Sequence, residues 1–197
     1  TIIPFFIGGI LGFIAGLLLV LTGPRGILEN RLVFFVLDKV TSIFRAIPFI
    51  ILLALINPFT RIIVGTGIGP TAALVPLSLA VFPFFARQVH VVLSELDRGV
   101  IEAAQASGAT FWDIVGVYLR EGLPDLIRVT TVTLISLVGE TAMAGAIGAG
   151  GLGNVALTYG YQRFNHDVTI LATILILLLI FFIQFVGDFL TRKISHR

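Results

Sequence analysis

The sequence has 197 residues, of which 57% are hydrophobic and only 12% are charged. Because soluble domains carry about 25% charged residues, this composition and several apolar runs of about 20 residues predict an integral membrane protein. The runs are continuously apolar rather than alternating, so we expect membrane-spanning helices and an all-α fold. The net charge of +2 gives no reason to expect a nucleic-acid partner, and the absence of cysteine excludes disulfides and thiolate metal ligands.

The first predicted membrane span covers residues 1–23, which carry no charged side chain. Gly8, Gly12 and Gly16 recur at every fourth position and therefore share one face of the helix. This spacing is typical of membrane helices that approach a neighbour closely, so we expect the face to pack against another helix. The chain begins at Thr1 inside the apolar run, and we expect the natural protein to have further residues before it.

Two further spans are predicted over residues 40–59 and 71–92. Arg45 lies in the first of them, where it either extends to the membrane surface or pairs with an acidic group inside the bundle. Pro48 predicts a kink in the same helix. Pro76 and Pro83 interrupt the other helix, which a membrane protein tolerates when neighbouring groups satisfy the freed carbonyls.

A polar segment over residues 99–113 separates the third span from the fourth. Drawn as one helix from Gly99, it has one stripe of residues at spacings of three and four, which are Val100 or Ile101, Ala104, Gly108 with Ala109, Phe111 or Trp112, and Val115. One interpretation is an amphipathic helix that lies flat on the membrane surface. The other is a docking element for a second protein, which the small residues favour because a partner backbone can approach them closely.

The fourth predicted span, over residues 126–147, has more polar side chains than the others, and Glu140 is a charged residue within it. A glycine-rich stretch over residues 148–153 follows. Each glycine costs about 1 kcal/mol relative to alanine in a helix, so this stretch predicts a turn or a close-packed bend. The fifth predicted span covers residues 168–190 and leads into a basic tail.

Five spans place the two ends of the chain on opposite sides of the membrane. The side that carries Glu102 holds most of the basic residues, whereas the other side holds Arg61 and Arg163. Because cytoplasmic loops of membrane proteins are rich in Lys and Arg, we expect the N-terminus outside and the C-terminus and the Glu102 segment in the cytoplasm. The basic residues on the Glu102 side are Arg25, Arg31, Lys39, Arg87, Arg98, Arg120, Arg128, Arg192, Lys193 and Arg197.

The residues Glu102-Ala103-Ala104, followed by Gly108 and later by Leu123-Pro124, resemble the EAA motif of ABC importer permeases. Several further stretches, over residues 43–49, 58–66, 137–145, 148–153 and 159–164, resemble the methionine-importer branch of that superfamily. The glycine cluster is shared with osmoprotectant permeases of the glycine betaine type. In the family a Leu-Pro pair stands 12 and 13 residues after the motif glycine, where this chain has Arg120 and Glu121.

The resemblance implies a type I ABC importer permease fold with five transmembrane helices and a short cytoplasmic coupling helix at about residues 99–113, in one domain over residues 1–197. It implies a homodimer in the bacterial inner membrane, in contact with membrane lipid. Two cytoplasmic ATP-binding subunits would drive it, and an extracytoplasmic substrate-binding lipoprotein would deliver methionine, D- or L-. The chain has no Gly-x-x-x-x-Gly-Lys-Ser/Thr motif, so we expect ATP and Mg on the partner ATPase and neither a bound cofactor nor a metal on this chain.

Two groups of site residues follow, and no catalytic residue is predicted. The coupling residues are Glu102, Ala103, Ala104 and Gly108, where Glu102 either caps its own helix or pairs with a basic group of the ATPase. The residues expected to line or gate the path are Ser136, Glu140, Thr141 and Met143. For Glu140 the alternative is a structural carboxyl that is protonated or paired with an arginine, and for Met143 it is ordinary packing.

Other functions remain open at this point. The permease of a glycine betaine or other amino-acid ABC importer is the nearest alternative. A secondary transporter outside the ABC class would need an inverted repeat or ion ligands within the membrane, and only Glu140 and Arg45 offer such charges. A membrane scaffold or insertase would leave the polar fourth span unexplained.

Overall fold

The computed structural model describes residues 1–195, so the last two residues of the predicted basic tail, His196 and Arg197, lie outside the described part. The described residues form helices and contain no strand, which confirms the all-α prediction. The helices are α1 (Ile2–Thr22), α2 (Arg31–Ala46), α3 (Phe49–Leu55), α4 (Asn57–Val64), α5 (Pro70–Ser94), α6 (Arg98–Ala106), α7 (Phe111–Glu121), α8 (Leu123–Ala144), α9 (Gly151–Asn154) and α10 (His166–Ser195). A 3-10 turn (Gly145–Ile147), a π-helical turn (Val155–Gly160) and a second 3-10 turn (Tyr161–Arg163) complete them.

Four of the helices are long and apolar enough to cross a membrane: α1, α5, α8 with the 3-10 turn that continues it, and α10. They correspond to the first, third, fourth and fifth predicted spans. α5 runs unbroken through Pro76 and Pro83, and both prolines are buried against neighbouring helices. The sequence therefore predicted these four spans correctly.

The second predicted span, residues 40–59, is not one helix. α2 ends at Ala46 because Ile47 takes an extended conformation (φ −82°, ψ 119°), as expected for the residue before a proline. α3 then ends at Leu55, and α4 starts at Asn57 with Pro58 in its first turn. The kink predicted at Pro48 is thus a complete break, and residues 31–64 form three helices.

These three helices nevertheless carry the chain back across the bundle. α1 and α5 run parallel, since Gly8 lies against Ser78 and Gly16 lies against Ala86. Between them, α2 runs in the opposite direction along α5, with the rings of Phe34 and His90 6.0 Å apart. The residues between α1 and α5 must therefore return to the starting end of the bundle, which gives one segmented passage beside the four unbroken ones.

An ion pair that the sequence did not predict joins α2 to α5. The guanidinium of Arg87 donates to a carboxylate oxygen of Asp38 at 2.9 Å, and both side chains are partly buried. Arg45, for which pairing was one alternative, is exposed and makes no salt bridge within the described residues. The acidic partner inside the bundle therefore belongs to Arg87.

α8 and α10 complete the bundle and run antiparallel to each other, with Gly187 of α10 lying against Thr131 of α8. The Thr1 hydroxyl donates to that of Thr141, near the far end of α8, at 3.4 Å. The start of α1 and the end of α10 therefore lie at opposite ends of the bundle. α6 and α7 (residues 98–121) form a helical hairpin. We call the end of the bundle that holds this hairpin and the end of α10 the hairpin end.

Candidate coupling and translocation sites

The polar segment forms two helices, α6 and α7, rather than the single helix predicted over residues 99–113. Gly108, between them, has a φ of 80°, a left-handed conformation that glycine adopts without strain. The Gly108 amide donates to the Gln105 carbonyl oxygen at 3.0 Å, and the Ala109 amide donates to that of Ala104 at 3.1 Å. Gly108 therefore terminates α6 as a C-terminal cap and does not lie on a continuous helical stripe.

Polar side chains cap the start of each helix in this α6–α7 hairpin (residues 98–121). The Asp97 carboxylate accepts a hydrogen bond from the Gly99 amide at 2.8 Å, so Asp97 caps α6 and Glu102 does not. At α7, Thr110 and Asp113 form a reciprocal capping box, in which the Asp113 carboxylate accepts from the Thr110 amide at 2.9 Å. The spacing Thr110-x-x-Asp113 was the sequence signal for a second helix.

Hydrogen bonds at this box also change the acidity of Asp113. The Thr110 hydroxyl donates to the carboxylate at 2.6 Å, and the Thr110 amide adds a second bond. Because both bonds favour the charged form, they lower the pKa of Asp113 below its usual value. The start of α7 is therefore stabilised by a carboxylate that stays ionised, at the helix end where a negative charge is favourable.

The hairpin is attached to the bundle through one apolar face. Ile101, Ile114, Val115 and Tyr118 are buried, and they belong to the same core as Leu93 at the end of α5. Burial raises the pKa of the Tyr118 hydroxyl. The buried face of the hairpin and the end of α5 thus share one apolar core.

The corner between α7 and α8, at Gly122, is also closely packed. A Cβ on Gly122 would lie 2.6 Å from Leu93 Cδ2 and 2.8 Å from the Tyr118 carbonyl oxygen. With no space at the corner, α7 cannot move against α5 without displacing the start of α8. The hairpin thus packs against the end of α5 and the start of α8.

The opposite face of the hairpin is open. Glu102, Ala103 and Gly108 are exposed, and Ala104 is half-buried. Trp112 is 77% exposed and packs edge-to-face on Phe111, with ring centroids 5.1 Å apart. The prediction placed Trp112 on the same stripe as Ile101; this was wrong because the turn at Gly108 restarts the helical phase.

Three of the four predicted path residues share one face of α8. Ser136, Glu140 and Met143 follow one another at spacings of four and three, which brings them together on a helix. Met143 is 48% exposed, while Ser136 and Glu140 are half-buried. Thr141 lies away from this face, and its hydroxyl donates to the Leu137 carbonyl oxygen at 2.7 Å.

The other threonines of α8 are satisfied inside the helix. The hydroxyls of Thr130, Thr131 and Thr133 each donate to the carbonyl oxygen four residues earlier, at 2.7 to 2.9 Å. These hydroxyls thus bond to the backbone of their own helix. Glu140 differs, because its Oε2 is buried and has no hydrogen-bond partner within residues 1–195. Placing an ionisable group inside a membrane span costs free energy, so an unpartnered carboxyl at this position indicates a functional role.

After α8 the chain makes the close-packed bend that its glycines predicted. Gly148, Gly150 and Gly151 have φ values of 73°, 77° and 73°. Gly153 lies directly against the backbone of Ala142, and a Cβ at Gly145 would overlap the Asn154 amide. The bend therefore fixes the end of α8, beside the face that carries Glu140 and Met143.

The chain is similar to a family of known transport proteins over almost its whole length. Residues 8–196 match the model of a family described as "Binding-protein-dependent transport system inner membrane component". A relative in Pasteurella multocida, named as a probable D-methionine transport system permease protein, is 49% identical over 189 residues, which cover 95% of this chain and 87% of the relative. A Bacillus subtilis methionine import system permease protein is 49% identical over 181 residues, 91% of this chain and 82% of the relative.

Two solved structures are also similar to this chain, to different extents. A chain from the MetNI methionine ABC transporter in an inward-facing conformation superposes with a TM-score of 0.94 at 46% identity, covering 97% of this chain and 89% of that one. A chain of an amino-acid ABC transporter crystallised with histidines has a TM-score of 0.76 at 16% identity and covers 96% and 88%. The latter likeness concerns the fold alone.

Proposed function

This chain belongs to the family of binding-protein-dependent transport system inner membrane components, and we propose that it is the subunit through which an ATP-driven importer carries methionine. The observation that carries the proposal is 49% identity to methionine permeases over nearly the whole chain. The fold of the MetNI chain supports it. We further propose that residues 1–197 act as one transmembrane permease domain and that D- and L-methionine are both accepted.

The α6–α7 hairpin is the proposed contact with the motor. Its open face carries Glu102, Ala103, Ala104 and Gly108, whose small side chains leave room for a partner backbone. With the cap of α6 provided by Asp97, the exposed Glu102 carboxylate is left to pair with a basic group of the partner. Closure of the partner would push the hairpin, and the shared core with Leu93 and the corner at Gly122 would move α5 and α8.

Two cytoplasmic ATP-binding subunits, which hold ATP and Mg, are the proposed partners on this face. Two copies of the permease then enclose the path, and an extracytoplasmic binding protein delivers the substrate. In this arrangement the hairpin end faces the cytoplasm, so the N-terminus lies outside and α10 ends inside. The basic residues at the hairpin end support this orientation.

The face of α8 formed by Ser136, Glu140 and Met143 is the proposed lining of the path. Met143 is the single methionine of the chain and is about half exposed, so its flexible thioether can open or close an apolar gate. The unpartnered Glu140 carboxyl can accept a hydrogen bond from the ammonium group of an amino acid. Thr141, which lies away from this face and contacts Thr1, is proposed to take part in the path beside it.

Uptake of labelled methionine and labelled glycine betaine tests the substrate, in cells that lack other uptake routes and produce the complete transporter. Methionine uptake that depends on ATP is expected, with D- and L-methionine competing. Betaine uptake without methionine uptake would identify the chain as an osmoprotectant permease.

The variant Glu140→Gln tests the path, since it keeps the shape and removes the negative charge. We expect a higher KM for methionine with little change in stability, and we expect Glu95→Gln, an exposed residue at the hairpin end, to transport normally. Equal KM values for both variants would remove Glu140 from the path.

A further inference from the structure

We propose that a cavity at the hairpin end binds the phosphate group of an anionic phospholipid. The cavity measures about 340 Å³ and lies among the ends of α1 and α5, the start of α2, and the hairpin. Its lining combines apolar side chains with Arg25, His90 and Arg98. The inference uses only the membrane location of the family, although the proposed coupling residue Glu102 also lines the cavity.

The position of the cavity matches the level of lipid headgroups. α1 ends at Thr22 and α5 ends at Ser94, so the cavity lies where two membrane helices leave the apolar layer. Among its lining residues, Leu19, Val20 and Leu93 belong to α1 and α5, whereas Arg25 and Arg98 come after the ends of these two helices. A phospholipid has the same order of groups, with glycerol and acyl chains below a phosphate.

The charges that line the cavity favour an anion. Arg25 and Arg98 are exposed, and within residues 1–195 neither forms a salt bridge. The lining carries two guanidinium groups and one carboxylate, that of Glu102, while the Glu29 carboxylate accepts from the Arg25 amide outside the lining. Guanidinium groups bind phosphate through paired hydrogen bonds, and basic pockets between membrane helices are suited to anionic headgroups.

His90 adds a polar group without a partner. Its ring lines the cavity, and its Nδ1 is buried and has no hydrogen-bond partner in the described part of the chain. Buried polar atoms in native proteins are satisfied in the great majority of cases, by protein, water or ligand. When Nδ1 carries the proton, it is a donor for which a phosphate oxygen is a suitable acceptor.

The backbone of Arg25 is a further sign that its side chain is needed there. Arg25 has a φ of 66°, a region that favours glycine, and its amide donates to the Glu29 carboxylate at 3.1 Å. Strained residues of this kind concentrate at binding sites. A glycine at this position would relieve the backbone and lose the guanidinium.

Lipid retention by the purified full-length chain in detergent tests the proposal. Native mass spectrometry would compare phosphatidylglycerol, phosphatidylcholine and inorganic phosphate as probes. We expect phosphatidylglycerol to be retained more strongly than the other two, and the double variant Arg25→Gln/Arg98→Gln to bind it about 30-fold more weakly, about fivefold for each arginine. The matched control is Arg31→Gln, which removes an exposed arginine outside the cavity and should change retention less than twofold by this reasoning.

Arg25→Gly separates binding from folding, because it should weaken lipid retention about fivefold while thermal stability stays equal or rises. Equal losses for Arg31→Gln and the double variant, or equal retention of phosphatidylcholine, would overturn the lipid site. Phosphate bound as tightly as phosphatidylglycerol would show a free-anion site instead. Displacement of the lipid by the ATPase would show that a protein segment occupies the cavity.

Discussion

In the α1–α5 pair glycine provides space, whereas in the α6–α7 hairpin it provides a backbone conformation. A Cβ on Gly12 would lie 2.7 Å from the Phe82 carbonyl oxygen, while a Cβ on Gly108 would meet nothing within 4 Å. Gly108 instead has a φ of 80°. The same residue thus packs two membrane helices in one region and ends a surface helix in the other.

The difference shows which region can move. α1 and α5 touch through their backbones at Gly8, Gly12 and Gly16, so no side chain can rearrange to let them slide. The hairpin is attached on one face alone and leaves the other open. We therefore expect α1 and α5 to move as one body when a partner pushes the hairpin.

The largest effect is expected for Gly12→Ala, which should destabilise the protein by about 2 kcal/mol because the added methyl meets the α5 backbone. Gly9→Ala is the matched control. Its Cβ would lie 3.9 Å from the Phe5 ring, an ordinary contact, and alanine improves helix propensity by up to about 1 kcal/mol. Thermal unfolding in one detergent compares the two. Similar melting temperatures would show that α1 and α5 are not held by their glycines.

A smaller effect is expected for Gly187→Ala, at the contact between α10 and α8. The new methyl would meet the side chain of Thr131 rather than a backbone, so about 1 kcal/mol is expected. The double variant with Thr131→Ala should recover part of the loss, since it removes the atoms in the way. Absence of recovery in a thermal-unfolding cycle would place the strain elsewhere.

Gly108 variants separate conformation from space in the hairpin. Gly108→Asn should keep methionine uptake near normal because asparagine tolerates the left-handed region. Gly108→Leu should lower uptake, because the left-handed backbone conformation costs a leucine about 1 kcal/mol or more. Gly116→Ala, in the middle of α7 with open space around it, is the control and should transport normally. Equal uptake by the Asn and Leu variants would contradict a role for the turn.

The smallest effect concerns pH. Hydrogen bonds from Thr110 lower the pKa of Asp113, so its contribution is present above the unfolded pKa of about 3.9 and is lost as pH falls through the lower folded value. Protection of the α7 amides against hydrogen exchange, corrected for the intrinsic exchange rate at each pH, should therefore fall slightly below about pH 4. In Asp113→Asn this pH dependence should disappear, and its persistence would assign it to another group.

Much of the candidate site could be predicted from local sequence. The residues of the EAA-like motif and the polar face of α8 were found without a structure, and Ser136, Glu140 and Met143 do share a face because helical spacing sets it. Thr141 was assigned to the path for its polarity, yet its hydroxyl bonds to the Leu137 carbonyl oxygen. A hydroxyl that can bond within its own helix gives no sequence sign of its direction.

The sequence by itself determined the features that depend on neighbouring residues: the four unbroken spans, the glycine face of α1 and the bend after α8. Each follows from hydrophobicity or backbone preference within about 20 residues. The tertiary structure alone decided the return of residues 31–64 across the bundle, the pairing of Arg87 with Asp38, and the cavity beside Arg25. These depend on which helices become neighbours, and packing energy between segments distant in sequence sets that choice.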